Sequence, residues 1–351
     1  MIKRRSLVAA VDLFCGAGGL TYGLRKKGID VRAGFDLDPA CAVPYQANNA
    51  AEFVLADVKQ LTGQDIKVRL SDAQYTMLAG CAPCQPFSRY SKTGRGKTNN
   101  NRWQLVLAFG RLVQEVRPDF VTMENVPLLA QHAAFEEFQK SLVGYHIWHA
   151  VVNTSQYGGA QTRNRLVLLA SRHAKIEFPK PFVRPAETVR TVIGHLPSVK
   201  AGCENMKDPL HVAPALSPLN LKRIRASKPG GTWRDWPRAL RAACHQRESG
   251  TTYPAVYGRM QWDALAPTMT TQCYGYGNGR FGHPTQDRAI TLREAALFQG
   301  FPLGYQFTAK GVSPQFLPLG RLIGNAVPVQ LAEVIGACIK RHAAQLAKRE
   351  K

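Results

Sequence analysis

Short apolar runs separated by polar, glycine-containing segments dominate the first half of the chain. Seven of them have the length and composition of buried strands: 7–14, 31–35, 53–55, 75–78, 120–123, 147–152 and 166–170. Helix-compatible segments follow several of these runs, and residues 103–116 are the clearest because their apolar side chains share one helical face. The alternation predicts an α/β fold with an open, parallel, doubly wound sheet.

The second half of the chain has a different texture. Of the 22 prolines, 12 fall within residues 179–284, which disfavours long helices and parallel strands there. Further on, residues 291–294 (TLRE) open a short helix, and apolar residues spaced between Leu331 and Leu346 predict an amphipathic terminal helix. We therefore expect boundaries near residues 183 and 290.

Composition adds an electrostatic expectation. The 351 residues carry 46 lysines and arginines against 24 aspartates and glutamates, a net charge of +22. Residues 184–290 contribute +8 of this charge, from 15 basic and 7 acidic residues. A polyanion is the first partner that such a charge suggests.

The same composition indicates a compartment. No stretch approaches the roughly 20 consecutive apolar residues of a membrane span. The basic start at Met1–Arg5 runs directly into an apolar strand instead of a cleavage site. Most of the eight cysteines stand singly among apolar neighbours, which indicates reduced thiols. We expect a cytoplasmic protein with no membrane association.

A glycine-rich turn follows the first strand, in residues 11–20 (VDLFCGAGGL). Glycines at this place allow a tight turn and let a ligand approach the backbone and the next helix N-terminus. Asp36 ends the second strand where a ribose-binding carboxylate would lie, and Asp57 follows the third. Thr21 stands where a dinucleotide fingerprint has its third glycine, so NAD is disfavoured; a purely structural turn remains the alternative.

The segment after the fourth strand, residues 79–88 (AGCAPCQPFS), holds two cysteines. Cys81 and Cys84 have redox or zinc spacing, but no second cysteine pair or histidine cluster completes a zinc site. Prolines on both sides of Cys84 would hold its thiol in one position, as a nucleophile requires, while an inert loop thiol is the alternative.

Two further segments carry candidate chemistry. Glu124 ends the fifth strand and could donate a proton or hydrogen bond to a ring nitrogen, or it could simply begin a helix. Gln161, Arg163 and Arg165 alternate before the last strand, which would put three donors on one face of an extended segment. Such donors suit a phosphate, a base oxygen or a carboxylate, unless they are only solvated.

These blocks, in this order, resemble those of the DNA (cytosine-5) methyltransferases. The resemblance continues with Arg293-Glu294 and with residues 299–302 (QGFP) and 324–328 (GNAVP), and it covers roughly 7–180 and 288–340. It implies an S-adenosylmethionine-dependent methyltransferase sheet with a smaller, loop-rich recognition domain. Residues 1–183 would form the catalytic, cofactor-binding domain, 184–290 the target-recognition domain, and 291–351 the rest of that lobe plus a helix returning to the catalytic domain.

The resemblance also implies a mechanism. The Cys84 thiolate would add to C6 of a flipped-out cytosine while Glu124 hydrogen-bonds or protonates N3. Carbon C5 would then take the methyl group, and loss of the C5 proton would expel Cys84. Arg165 would bind the cytosine O2 and help to position Glu124, with Arg163 nearby.

Cofactor and DNA contacts follow from the same resemblance. The cofactor, which leaves as S-adenosylhomocysteine, would be held by Phe14, Gly16, Gly18, Asp36, Asp57, Leu105 and Asn325, although the family commonly has glutamate at the place of Asp36. The polar and basic run from residue 89 to 101 fits a loop that closes over the DNA, with an ordinary solvated loop as the alternative. We expect DNA contacts from Gln85, Ser88, Arg89, Gln161, Arg234, Tyr274 and Arg280.

The resulting expectation is a sequence-specific enzyme that modifies double-stranded DNA. It would act as a monomer without a metal, associated with the nucleoid, in restriction-modification or epigenetic marking. A tRNA cytosine methyltransferase of the same lineage is the nearest alternative, but the Cys-Phe-Thr element of those relatives is absent. A catalytically silent DNA-binding homologue and a CxxC redox protein are the alternatives from other classes; intact Cys84, Glu124 and Arg165 argue against silence.

Overall fold

The computed structural model describes residues 6–83, 103–182, 186–247, 250 and 252–350. The chain forms two compact units. The first comprises Met1–Tyr157, Asn164–Phe182 and Val327–Lys351, and the second Gly158–Arg163 and Val183–Ala326. The short segment 158–163, which the sequence places in the first domain, thus belongs to the second unit.

A seven-stranded sheet is the centre of the first unit. Its strands are β1 (Val8–Leu13), β2 (Asp30–Asp36), β3 (Glu52–Leu55), β4 (Tyr75–Gly80), β5 (Phe120–Asn125), β6 (His146–Asn153) and β7 (Asn164–Ser171). They lie in the order β3-β2-β1-β4-β5-β7-β6. All seven predicted strands are confirmed, and β1 to β5 pair in parallel as predicted.

One strand departs from the parallel arrangement. β7 runs antiparallel to both of its neighbours, β5 and β6. Parallel neighbours need a crossover of a dozen or more residues, usually a helix, whereas only residues 154–163 separate β6 from β7. The expectation of a wholly parallel sheet is therefore wrong at this strand.

Helices cover both faces of the sheet. In the first unit they are α1 (Gly19–Lys26), α2 (Ala42–Asn48), α3 (Gly63–Leu70), α4 (Gln104–Val116), α5 (Ala133–Lys140) and α10 (Val329–Arg349). Phe109 and Phe138 of α4 and α5 belong to the apolar core on one face, and Leu24 and Ile335 of α1 and α10 to that on the other. The doubly wound class is confirmed.

The terminal helix is packed tightly against α1. A Cβ atom added at Gly23 would lie 2.4 Å from the Cβ of Ala332, so only glycine permits this approach. Among the described residues, a single stretch, Phe316–Arg349, is long and apolar enough to pass a membrane-span test. Because 78% of the apolar part of this stretch is buried inside the protein, we interpret it as part of the hydrophobic core.

The second unit is built from short elements. They are α6 (Val189–Ile193), β8 (Glu204–Asn205), β9 (Asp208–Val212), α7 (Pro218–Ala226), α8 (Leu292–Phe298) and α9 (Phe316–Asn325). The predicted helix start at residue 291 is confirmed as a capping box of Thr291 and Glu294. Glu294 also accepts two 2.7 Å hydrogen bonds from Arg288, and both side chains are about 99% buried.

Candidate active site

The carboxyl ends of three adjacent parallel strands define the site. In the register of the sheet, Leu13 of β1 lies beside Gly80 of β4, and Gly80 beside Met123 of β5. The segments that follow these residues therefore begin at one edge, where open α/β sheets bind their ligands. They are the glycine-rich turn, the segment 81–83 and the pair Glu124-Asn125.

The turn after β1 owes its shape to left-handed backbone conformations. Phe14, Gly16 and Gly18 have φ angles of +59°, +53° and +88°, and Gly18 caps α1. The amide of Gly16 donates to Oδ2 of Asp36, 2.9 Å away, which ties the turn to the end of β2. Phe14 is an unusual occupant, because non-glycine residues rarely adopt this conformation.

Two carboxyl groups lie at this turn. Asp36 accepts from Gly16 and from the amide of Asp38, and burial raises its pKa. Asp12 is 1% exposed; its Oδ2 accepts from the Thr21 hydroxyl at 2.7 Å, whereas Oδ1 has no hydrogen-bond partner among the described residues. Burial, with a smaller contribution from Asp36, raises the pKa of Asp12 to about 7.

The turn leaves room for a ligand. A Cβ atom added at Gly16 would meet no protein atom within 4 Å. Open space, a partly buried carboxylate at Asp36 and the unsatisfied oxygen of Asp12 together suit a molecule with a hydroxylated sugar and a positive charge. The residues at this edge thus fit a nucleoside-like cation.

Glu124 lies at the centre of the edge. It is 3% exposed, and Nε of Arg165 on β7 lies 2.9 Å from its Oε1. The N–H bond of Arg165 does not point at that oxygen, so Oε1 has no aligned donor among the described residues. Its Oε2 accepts a hydrogen bond from the thiol of Cys81 at 2.8 Å.

The segment leading to the predicted nucleophile is held against β5. The side-chain amide of Asn125 donates to the carbonyl of Ala82 at 3.0 Å, and the amide of Cys81 donates to the carbonyl of Leu13. Cys84 follows Pro83 directly in the sequence but lies outside the described residues. The predicted DNA contacts Gln85, Ser88 and Arg89 also lie outside them.

The three alternating donors do not share a face as expected. Only Arg165 reaches Glu124. Gln161 is fully buried in the second unit, where it bonds to Gln299, the carbonyl of Phe298 and the amide of Met269.

Arg163, also expected to be catalytic, is 2% exposed and donates to the carbonyls of Met269, Gly324 and Ala326. Arg163 belongs to the second unit, whereas Arg165 lies on β7, which begins at Asn164 in the first unit, so the two side chains do not continue one alternating segment. In this structure, Gln161 and Arg163 serve the interior of the second unit.

The remaining predicted cofactor residues occupy separate places. Asp57 follows β3 and accepts from the amide of Lys59, so it stabilises a local turn. Leu105 lies in the first turn of α4 and packs on the core of the first unit. Asn325 ends α9 in the second unit and is exposed. Their contacts with a cofactor stay predictions.

The predicted recognition residues also differ in their surroundings. Arg234 is exposed, with its guanidinium 5.5 Å from the ring centre of Trp233. Arg280 donates to the carbonyl of Gly231, and burial lowers its pKa. Tyr274 packs against Phe316.

The aromatic residues near them are not free to contact bases. Trp233, Trp236 and Tyr276 are at most 3% exposed and form part of the interior of the second unit. Within the described part of the chain, no group of histidine, cysteine or acidic residues could hold a metal ion.

The structure adds two residues to the predicted site, Cys81 and Asn125. The sequence pairs Cys81 only with Cys84 and assigns no role to Asn125. The register of β4 and β5 brings both next to the acidic residue, and a signal existed: polar residues directly after adjacent parallel strands meet at one edge.

Comparison with known proteins points to one family. The sequence profile described as C-5 cytosine-specific DNA methylase matches residues 8–341. The chain is 48% identical over 350 residues to the type II methylase M.HgiDII of Herpetosiphon aurantiacus, covering 98% of both proteins. It is 30% identical to the type II methyltransferase M1.HphI of Haemophilus parahaemolyticus, covering 94% of this chain and 86% of that protein.

Solved structures agree on the fold. A prophage-encoded E. coli protein described as a DNA modification methyltransferase superposes with a TM-score of 0.72 at 22% identity, covering 95% of this chain and 99% of that one. The profile match and the 48% identity decide the question of family. This chain is a member of the C-5 cytosine-specific DNA methylases, and it is therefore a DNA cytosine-5 methyltransferase.

Proposed function

We propose that the enzyme methylates C5 of a flipped-out cytosine in a specific duplex sequence, using S-adenosylmethionine and a covalent bond to Cys84. One observation carries the proposal: the buried carboxyl of Glu124 stands beside the segment that leads to Cys84 and offers an oxygen with no aligned donor among the described residues. A buried polar atom of this kind is costly unless a ligand satisfies it.

The residues have complementary tasks. The Cys84 thiolate forms a bond to C6, and the displaced electron pair of the ring is accommodated at N3, which Glu124 hydrogen-bonds or protonates through Oε1. Arg165, 2.9 Å from Glu124, supplies positive charge for the cytosine O2 and holds the carboxyl at the strand edge. After methyl transfer, a base removes the C5 proton, the C5–C6 double bond re-forms with release of the thiolate, and N3 returns any proton it received to Glu124.

The turn after β1 would hold the cofactor. When bound, S-adenosylmethionine supplies an electrophilic methyl group on a cationic sulfur. Gly16 would leave the space for it, and Asp36 would accept from the ribose hydroxyls. Phe14 and Gly18 complete the turn.

We infer the substrate and the biological setting from the net charge of the protein and from its similarity to known proteins. A target base must leave the stack before a thiol can reach its ring face, so we infer base flipping. The net charge of +22 suits a phosphate backbone. Because the relatives are named type II methylases, we infer that the enzyme protects DNA in a restriction-modification system.

The test is transfer of a labelled methyl group from S-adenosylmethionine to duplex DNA, with tRNA assayed in parallel. We expect label in duplex DNA at 5-methylcytosine, abolished by Cys84→Ser and largely retained by Cys81→Ser. Label in tRNA alone, or equal loss from both variants, would contradict the proposal.

A further inference from the structure

The thiol of Cys81 lies next to Glu124 without a role in the chemistry described so far. Its sulfur is 2.8 Å from Oε2 of Glu124, on the opposite oxygen from the one that faces Arg165. We propose that Cys81 is a positioning residue, whose hydrogen bond fixes the carboxyl group of Glu124 and reserves Oε1 for the target base. This inference rests on the proposed role of Glu124.

Burial makes a single donor important here. Glu124 is 3% exposed, so losing a partner leaves a buried carboxyl oxygen unsatisfied, which is costly. With Oε2 held as an acceptor of the Cys81 S–H, Oε1 is the oxygen left to bond N3 of the target base. The carboxyl plane is then set by two groups, Cys81 on one oxygen and Arg165 on the other.

The backbone around Cys81 is well placed for this task. Its amide donates to the carbonyl of Leu13, and the next residue, Ala82, accepts from the side chain of Asn125. Both anchors lie on strands adjacent to β4, so Cys81 is fixed relative to the β5 strand that carries Glu124. Hydrogen bonds to β1 and β5 thereby hold the thiol at the carboxyl group of Glu124.

If Cys81 acts as a hydrogen-bond donor, the rates of methyl transfer in its variants should follow a definite order. Serine retains an O–H at nearly the same place, whereas alanine and valine have none, and valine keeps most of the volume. Single-turnover methyl transfer at saturating DNA and S-adenosylmethionine should fall about tenfold or more in Cys81→Ala and Cys81→Val, a part of the 10²–10⁴ that a positioned acid contributes. Cys81→Ser should stay within about threefold of wild type, because its hydroxyl donates the same bond.

The controls separate this role from packing. Affinities for DNA and S-adenosylmethionine should be unchanged in all three variants, and Cys203→Ala, an exposed cysteine of the second unit, should match wild type. Wild-type rates in the alanine and valine variants would overturn the proposal. Equal slowing by serine, or a loss confined to affinity, would also overturn it.

The outcome remains separable from the proposed function. The same assay includes Cys84→Ser and Glu124→Gln. If these two variants are inactive while Cys81→Ala and Cys81→Val are fully active, only the positioning role of Cys81 fails. If Cys84→Ser or Glu124→Gln retains wild-type activity, the mechanism itself fails.

Discussion

Nε of Arg165 lies 2.9 Å from Oε1 of Glu124, but its N–H bond points elsewhere. The two groups are thus held as a nearly buried ion pair, with exposures of 13% and 3%, and without an aligned hydrogen bond between them. Such an arrangement keeps the carboxyl group in place while leaving its oxygen able to bond a substrate atom. Arg165 is therefore expected to act directly on the reaction, unlike Arg163.

Arg165 and Arg163 form a matched pair for testing this distinction. Arg165→Ala should lower single-turnover methyl transfer by about 10² or more in protein that is still folded, the usual effect of losing a donor at developing charge. It also leaves the buried Glu124 without its ion-pair partner, which lowers stability. Arg163→Ala should destabilise the protein by about 3 kcal/mol, because three buried carbonyls lose their donor, but the folded variant should transfer methyl groups at close to the wild-type rate. Thermal unfolding, and rate measurements below the unfolding temperature, check this; equal loss of rate in the two folded variants would contradict it.

Asp12 should make stability depend on pH. Its pKa is about 7 in the folded protein, mainly through burial, but near 4 when unfolded. Between these values the folded state holds a proton that the unfolded state has lost, so stability decreases as pH rises from 4 to 7, by a few kcal/mol in order of magnitude. Asp12→Asn stays neutral, and its unfolding temperature relative to wild type should rise from pH 5 to pH 8.

Asp65 supplies the control for this measurement. It is an exposed carboxylate of the α3 capping box, and hydrogen bonds from Thr62 lower its pKa against a small opposing effect of burial. Because Asp65 is ionised above pH 5 in both the folded and the unfolded state, Asp65→Asn should lower the unfolding temperature by the same amount at pH 5 and at pH 8. If the difference in unfolding temperature between Asp12→Asn and wild type is also independent of pH, the raised pKa of Asp12 is contradicted.

Gly16 tests the cofactor pocket. Gly16→Ala puts a methyl group into open space at φ +53°. The added backbone strain should therefore lower the free energy of unfolding by only about 1 kcal/mol. If that space holds the cofactor, the dissociation constant for S-adenosylmethionine should increase by about tenfold or more, since 1.4 kcal/mol of lost binding suffices. Calorimetric titration measures it.

Gly144 is a matched control for Gly16. It has φ +84° and equally open surroundings, but it lies on the exposed turn between α5 and β6. Gly144→Ala should show similar strain and unchanged cofactor affinity. Equal affinities in both alanine variants would place the cofactor elsewhere.

Salt should govern DNA binding. If about six phosphates are contacted, affinity for duplex DNA should fall roughly 10³-fold or more between 50 and 200 mM salt. Fluorescence anisotropy with a labelled duplex measures this, with cofactor affinity as the salt-insensitive reference. A nearly flat dependence would mean that the basic surface does not serve DNA.

The sequence was informative where local pattern decides structure. Apolar runs predicted seven strands, and the helix start at Thr291 was confirmed by its capping box. The sequence is less informative where contacts between residues far apart in the chain determine the structure. Nothing local shows that β7 would insert antiparallel between β5 and β6, or that Arg163 would face buried carbonyls while Arg165, two residues on, faces Glu124. The Cys81–Glu124 contact likewise depends on residues 43 positions apart.

The central claim is that Cys84 attacks a cytosine whose ring Glu124 activates, and a 5-fluorocytosine duplex tests it most directly. Fluorine at C5 cannot leave as a proton does, so the thiol should remain bonded to C6 once the methyl group has been transferred. We predict a denaturation-resistant protein–DNA adduct that requires S-adenosylmethionine, maps to Cys84 by peptide sequencing and is absent in Cys84→Ser. An adduct at Cys81, or methyl transfer with no adduct at all, would contradict the account.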